Sequence, residues 1–366
     1  MHILSQIWSN IHNGLFPELE EVLPPLSEMQ RKLVAILELV RIEKYAGRLN
    51  QTYFGRPKKD RIALARAFIA KAVYNLPTTR LLIEQLQFNE SLRRLCGWEY
   101  RRNIPSESTF SRAFEEFADS DLPAKVHQEL IKTQLKDRLV GHISRDSTAI
   151  KGHEKPAPKV KKKSKEPEKP KKRGRPKKGE ERSPVELKRI EKQLNQTLEQ
   201  MLEELPTACD RGTKRDSKGY KHSWNGYKLH LDVDDNGIPI SAILTSASLH
   251  DSQVAIPLAV TTSERVVNLY DLMDSAYDAE LIKAQSRSLG HVPIVDQNPR
   301  NSEKVAMDPA KSIRYKIRSA AERANGRLKE EFGASMLRVK GAAKVFAHLM
   351  FGVLALAADQ LLKLVQ

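Results

Sequence analysis

The sequence predicts two parts, an all-helical N-terminal part and an α/β part whose mixed sheet is covered by helices. Three observations predict it. Up to about residue 135 apolar positions recur every three or four residues, as in EMQRKLVAILELVRIEKYAGRL and RIALARAFIAKAVYNL. From LVGHISRDSTAI onward the period falls to two and β-branched residues gather, the pattern of strands. Beyond it, GYKLHLDVD and IPISAILTSA are joined by Asp-Asn-Gly, a strong hairpin signal.

Each element has a local reason. In the helical part FGRPKKD opens one helix, YNLPTTRLLIEQLQ is a break and a new start, and IPSESTFSRAFEEFA offers Ser106 or Ser108 as an N-cap. Short helices with basic ends suit a helix-turn-helix-like DNA clamp. A plain helical scaffold with solvated Lys and Arg stands beside that reading. After the hairpin the pattern gives a helix from about Asp251, a strand VVNLYDLMD, a helix AELIKAQSRSL, a strand HVPIVD and two closing helices. The most apolar stretch, Val345 to Val365, carries His348, Asp359 and Lys363 and much alanine, which predicts a buried helix rather than a membrane span.

Between the first strand and the hairpin lies a block of another composition. Residues 155–182 hold fourteen Lys or Arg and four Glu, so they supply +10 of a net charge of +16. Prolines and a want of apolar residues keep the block from packing. A helix is then predicted from Ser183, where Ser183 and Glu186 form a capping box with Pro184 at the first helical position. It presents Leu187, Ile190, Leu194, Leu198, Met201, Leu202 and Leu205 at helical spacing, a face that packs on the body or pairs with another chain.

The chain has 366 residues, 40% of them hydrophobic, enough for two domains or for one large domain with an accessory part. The positive charge favours a polyanionic partner, nucleic acid or an acidic membrane face. Cys96 and Cys209 stand far apart, which argues against a disulfide framework or a zinc site and places the chain inside the cell. The N-terminal MHILSQIWSNIHNG lacks the features of a secretory signal. A cytoplasmic, nucleoid-associated location without membrane attachment is the resulting expectation.

Within the basic block, Arg173-Gly174-Arg175-Pro176 followed by Lys177 and Lys178 resembles an AT-hook. Glycine lets an extended backbone enter a narrow A·T minor groove while the flanking cations follow its negative potential. Any Lys/Pro-rich linker produces such a run by chance, and GRPKK recurs from Gly55 to Lys59.

Candidate chemistry lies in YKIRSAAERANGRLK. At about 100° per residue, Tyr315, Arg318, Glu322, Asn325 and Lys329 fall within an arc of about 80°. A solvated helix face with one Arg318–Glu322 pair is the plain alternative. Two isolated acids sharpen the picture: Asp146 is expected to close the strand LVGHISRD, and Asp274 to close VVNLYDLMD. Each alone also reads as a turn or helix cap. Together with Glu322 they offer three carboxylates, the hard oxygen ligands that Mg²⁺ prefers. Two ions about 3.5 to 4 Å apart would activate the attacking oxygen and stabilise the leaving one in phosphodiester displacement.

These residues resemble a known family, the DDE transposases of bacterial insertion sequences, in the group with a Tyr-Arg-Glu-Lys signature related to the fourth and fifth insertion-sequence families. Tyr315, Arg318, Glu322 and Lys329 match that signature without a gap. LMDSAYDA is similar to the second-acid motif, which places Asp274 and Tyr277, and SRDSTAI is similar to the first-acid motif. The likeness covers most of residues 138–366, and the GRP…STFSR region is similar to the helical N-terminal domain of relatives.

The resemblance implies an RNase H-like catalytic domain at 138–366 after a helical DNA-binding or dimerisation domain at 1–137; by its composition and spacing, a basic insertion with an amphipathic helix interrupts the catalytic domain at 152–217. It implies that Asp146, Asp274 and Glu322 are catalytic and bind two divalent ions, Mg²⁺ or Mn²⁺. It further implies cleavage at the element ends and strand transfer into target DNA through a 3′-hydroxyl. Tyr315, Arg318 and Lys329 would contact DNA near the cut. The implied partners are double-stranded DNA, as terminal inverted repeats and target, and a second copy of the chain. A catalytically silent DNA-binding regulator, or a metal-dependent nuclease without strand transfer, is the alternative. His250 and Asp251 in LHDSQ also match the family, but a turn and helix cap explains them as well. The long lysine-rich block departs from the family pattern.

Overall fold

The computed structural model describes residues 26–50, 57–136, 138–158, 187–215, 219–299, 303 and 305–364. Helices come first. α1 (Glu28–Val40) begins at Ser27, whose side chain accepts from the Gln30 amide while Gln30 reaches back, a capping box. α2 (Glu43–Ala46) is a single turn. α3 (Arg61–Val73) opens on Asp60, and α4 (Thr79–Phe88) on Thr78, where the sequence placed its break and restart. α5 (Glu90–Cys96), α6 (Glu107–Asp119) and α7 (Leu122–Leu135) follow. Ser106, not Ser108, takes the cap position of α6.

The sheet has six strands: β1 (Leu139–Lys151), β2 (Asp210–Arg215), β3 (Lys221–Val233), β4 (Pro239–Ser246), β5 (Val267–Met273) and β6 (Val292–Val295). Their order is β2-β3-β1-β5-β6, with β4 also on β3. β1 is antiparallel to β3 and parallel to β5, and β5 is parallel to β6. The Asp-Asn-Gly turn holds as expected: Gly237 has φ 77°, where a side chain is strained, and Asp234 Oδ1 accepts from the amides of Asn236 and Ile238. Gly226 is a second obligate glycine, because a Cβ there would lie 2.2 Å from the Ile150 carbonyl oxygen.

Helices cover the sheet. α8 (Arg189–Gln193) and α9 (Leu198–Glu203) precede β2, α10 (Ala255–Ser263) and α11 (Glu280–Ser288) flank β5, and α12 (Pro309–Tyr315), α13 (Ser319–Glu330) and α14 (Ala342–Lys363) close the chain. α14 is long and apolar enough to cross a membrane, yet it is the centre of the core, packed on α1, α3, α6, α7 and β4. Its Phe351 ring meets those of Phe68, Phe114 and Phe117, at 5.7 Å from Phe68. One apolar cluster therefore runs from the N-terminal helices through α14 into β1, β3 and β4.

Four expectations need correction. Asp146 does not close its strand, since β1 runs on to Lys151 against β3. What ends near Asp146 is the pairing with β5, whose last register is Arg145 to Met273. The helix drawn through Leu205 is broken, because Thr197 caps a new helix in a capping box with Gln200, and polar residues that bond their own backbone favour such restarts. Leu187, Leu194 and Leu202 stay exposed, while Met201 and Leu205 are buried and Leu205 packs with Ile243, Leu249, Val254 and Leu258 of the body. The proposed cap at Ser183 and Glu186 lies outside the described residues. The segment 152–217 includes β2, a strand of the sheet that its composition did not show. Finally, Tyr315 and Glu322 are not on one α-helix: a 3-10 turn, Lys316–Arg318, divides α12 from α13.

Alternation along β1 sends Arg145 to the sheet face covered by α10, where the guanidinium makes two bonds to Asp232, Nε to Oδ1 at 2.8 Å and Nη2 to Oδ2 at 2.7 Å. Thr262 of α10 donates to the same carboxylate at 2.7 Å. Arg145→Met alone would strand the buried Asp232 charge and is expected to cost about 3–5 kcal/mol. Arg145→Met combined with Asp232→Leu should recover most of that loss in chemical denaturation, and equal losses in both proteins would contradict this role.

Candidate active site

Asp146 lies on the opposite face of β1 from Arg145, under α13. Its Oδ2 accepts from Asn325 Nδ2 at 3.1 Å, and Arg318 Nη1 lies 3.7 Å from its Oδ1. Asp274 follows the last residue of β5 and caps a 3-10 turn, Ser275–Tyr277, by accepting from the Ala276 amide at 2.9 Å. Since β1 and β5 are parallel neighbours with Arg145 opposite Met273, the next residue on each strand is an acid. The two carboxylates thus come to adjoining positions at one end of the sheet.

Their electrostatics show the strain. Burial pushes the Asp146 carboxyl up to about 6, the charge of Asp274 adds to the rise, and Arg318 opposes it. Asp274 is raised as well, by burial first and by Asp251 among its neighbours. Glu322, in the first turn of α13, is more exposed and is linked to this pair only through Arg318. Its Oε1 accepts from Arg318 Nη2 at 2.6 Å. Arg318 consequently stands between Glu322 and Asp146, and its guanidinium also lies over the Tyr315 ring at 5.9 Å.

The predicted residues Asp146, Asp274, Glu322, Tyr315 and Arg318 therefore gather around one end of the sheet, as does Lys329. The Lys329 ammonium is half-buried and its pKa is lowered, first by burial and then by the nearby Lys214. Among the described residues no three acids, histidines or cysteines are grouped closely enough to hold a metal ion. Asp146 and Asp274 have the donor chemistry for a divalent cation, two oxygen anions whose repulsion a cation would relieve. Glu322 is turned to Arg318 instead. Arg173, Gly174, Arg175, Lys177 and Lys178 lie outside the described residues.

Two neighbours went unread in the sequence. Lys214 of β2 is near enough to act on Asp146, Asp274 and Lys329, and Lys151 acts on Lys329. Neither carries a motif, and only the pairing of β2 with β3 brings Lys214 in. Asp251 is fixed by Lys228, Nζ to Oδ1 at 2.9 Å. Burial raises its pKa, but His230, Lys228 and Ser147 outweigh that and leave it below the usual range. Tyr277 is wholly buried with an unbonded hydroxyl, its pKa raised by burial and by Asp251, Asp146 and Asp274.

A raised carboxyl has a defined sign in stability. Between pH 4 and 6 native Asp146 holds a proton that the unfolded chain releases, so its contribution falls as pH rises through that window. In metal-free buffer at pH 7 to 8, Asp146→Asn is expected to stabilise the fold by about 1–2 kcal/mol. It should also flatten the pH slope of the melting temperature between 4 and 6; a slope identical to the parent's would show that the ionised carboxylate is not penalised.

Comparison with known proteins agrees with this arrangement. A family model described as Transposase DDE domain matches residues 141–358, and one described as Transposase domain (DUF772) matches residues 17–116. No curated protein and no solved structure matches the chain. Because the first match spans more than half of the 366 residues and takes in all three acids, the chain belongs to the transposase DDE domain family.

Proposed function

We propose that this transposase cuts DNA at the ends of an insertion sequence and transfers the cut strand to a target, with Asp146, Asp274 and Glu322 as the acids of the reaction. The observation that carries this reading is the placement of Asp146 and Asp274 side by side where the pairing of β1 with β5 stops, beneath the helix that holds Glu322. A sheet antiparallel on one side of β1 and parallel on the other supports the RNase H-like assignment.

Asp146 and Asp274 would hold divalent metal, Mg²⁺ or Mn²⁺, and Glu322 would complete the set after leaving Arg318. The metal would supply Lewis acidity for the attacking oxygen and charge compensation for the leaving one. Every other role falls to the protein. Arg318 Nη1 is enclosed 3.7 Å from Asp146 Oδ1, so a phosphate oxygen would be taken at Nη2, where Glu322 sits. A phosphate bound there competes with Glu322 for the same cation, which frees the carboxylate when DNA arrives. Asn325 holds Asp146 in place, while Tyr315 supports the Arg318 plane from one side. Lys329 and Lys214 bring positive charge to the backbone beside the cut. A homodimer would process two ends together.

Supercoiled plasmid carrying the element ends, incubated with Mg²⁺, is the direct test. Cleavage followed by joining is expected for the parent, and a loss of at least about 10³-fold for Asp146→Asn, Asp274→Asn or Glu322→Gln. Tight binding without cleavage by the parent would favour the regulator, and cut ends that never join would favour a nuclease.

The basic segment 155–182, with its AT-hook-like run, is assigned to minor-groove contact. Its deletion should weaken duplex binding and reduce the slope of log affinity against log salt. Identical slopes with and without the segment would remove it from the DNA interface.

A further inference from the structure

Lys71, in the last turn of α3, is 8% exposed. No acid among the described residues pairs with it: burial alone moves its pKa, down to about 8. A cation on a side chain buried to this degree and without an acid is costly, and at this position a methionine or leucine would fill the space without that cost. Its surroundings suggest what offsets it. Lys71 lines a cavity of about 420 Å³ between α3, α4, α6 and the segment that joins α13 to α14.

The walls combine apolar and polar groups. Phe68 and Phe114 form one side, and Ser111 and Arg338 add a hydroxyl and a guanidinium. Thr78 and Thr79, also on the wall, begin the ten-residue α4. The Thr78 side chain accepts from the Leu81 amide and leaves other first-turn amides for a ligand. The remaining titratable groups are Glu107 and His348. Arg80 Nη2 holds Glu107 at 3.6 Å. His348 bonds the Gly333 carbonyl through Nε2 at 3.0 Å, and burial and then Lys71 lower its pKa to about 4, so it is neutral at pH 7.

We propose that this cavity is a phosphate-binding site, with Lys71 as its buried cation and Arg338 and the N-terminus of α4 as its further donors. An oxyanion there would neutralise Lys71 and take up free amides at a helix start. The volume admits a phosphate together with the group that carries it. The phosphate belongs to a nucleotide of bound DNA or is free inorganic phosphate; only the DNA source rests on the function proposed above. DNA fits the location, because Arg338 lies in the segment that joins α13, the helix that carries Glu322 and Lys329, to α14.

The test uses the full chain. Amine acetylation of Lys71 is followed by mass spectrometry with inorganic phosphate, with duplex DNA, or with chloride at matched ionic strength. Melting temperatures are read in parallel with and without phosphate for the parent, Lys71→Met and Lys71→Arg. Protection of several-fold is expected from phosphate, from duplex or from both. Protection by duplex alone identifies the DNA backbone as the source, and protection by inorganic phosphate identifies a free anion. A phosphate-dependent rise in melting temperature should vanish in Lys71→Met and persist in Lys71→Arg. If Lys71→Met does not fold, protection in the parent still decides. Acetylation unaffected by either anion overturns the proposal. Failure of plasmid cleavage bears on the catalytic reading only, because protection of Lys71 by inorganic phosphate requires no reaction.

Discussion

The bond between Arg145 and Asp232 fixes the end of the sheet at which Asp146 and Asp274 meet. The two residues are direct cross-strand partners on β1 and β3, and their side chains are removed from water. A slip of one residue would turn Arg145 to the α13 face and Asp146 to the α10 face. Two parallel charge-assisted bonds, with Thr262 as a third donor, make that slip expensive. Placement of Asp146 is therefore set by the residue beside it, which faces the other side of the sheet.

On the other face charge is held out of balance. Asp146 and Asp274 repel one another in partial burial, and one guanidinium, Arg318, is divided between Asp146 and Glu322. Such an arrangement costs stability without a cation or phosphate and suits a site that assembles with its substrate. The 3-10 turn between α12 and α13 contributes here, for it sets Arg318 against the Tyr315 ring and aims it at β1.

The helical part is joined to this machinery through α14. Phe351 closes an aromatic cluster with Phe68, Phe114 and Phe117, and Arg327 of α13 bonds Asp359 of α14 at 2.7 Å. Asp359 also pairs with Lys32 of α1 at 2.8 Å. Three segments far apart in sequence thus share one carboxylate, and the helix bearing Glu322 is braced from the N-terminal side.

Much of this was legible in the residues. Apolar spacing determined the helices, alternation determined the strands, Asp-Asn-Gly determined the hairpin, and the run from Tyr315 to Lys329 pointed to a polar helix face. These signals are local, since a period of 3.6 or 2 is decided by neighbours along the chain. Tertiary structure alone decided that β1 continues past Asp146, that β2 brings Lys214 to the acids, that Thr197 breaks a helix, and that Arg145 meets Asp232. Each depends on partners dozens of residues away, and no local pattern encodes which strand will lie alongside.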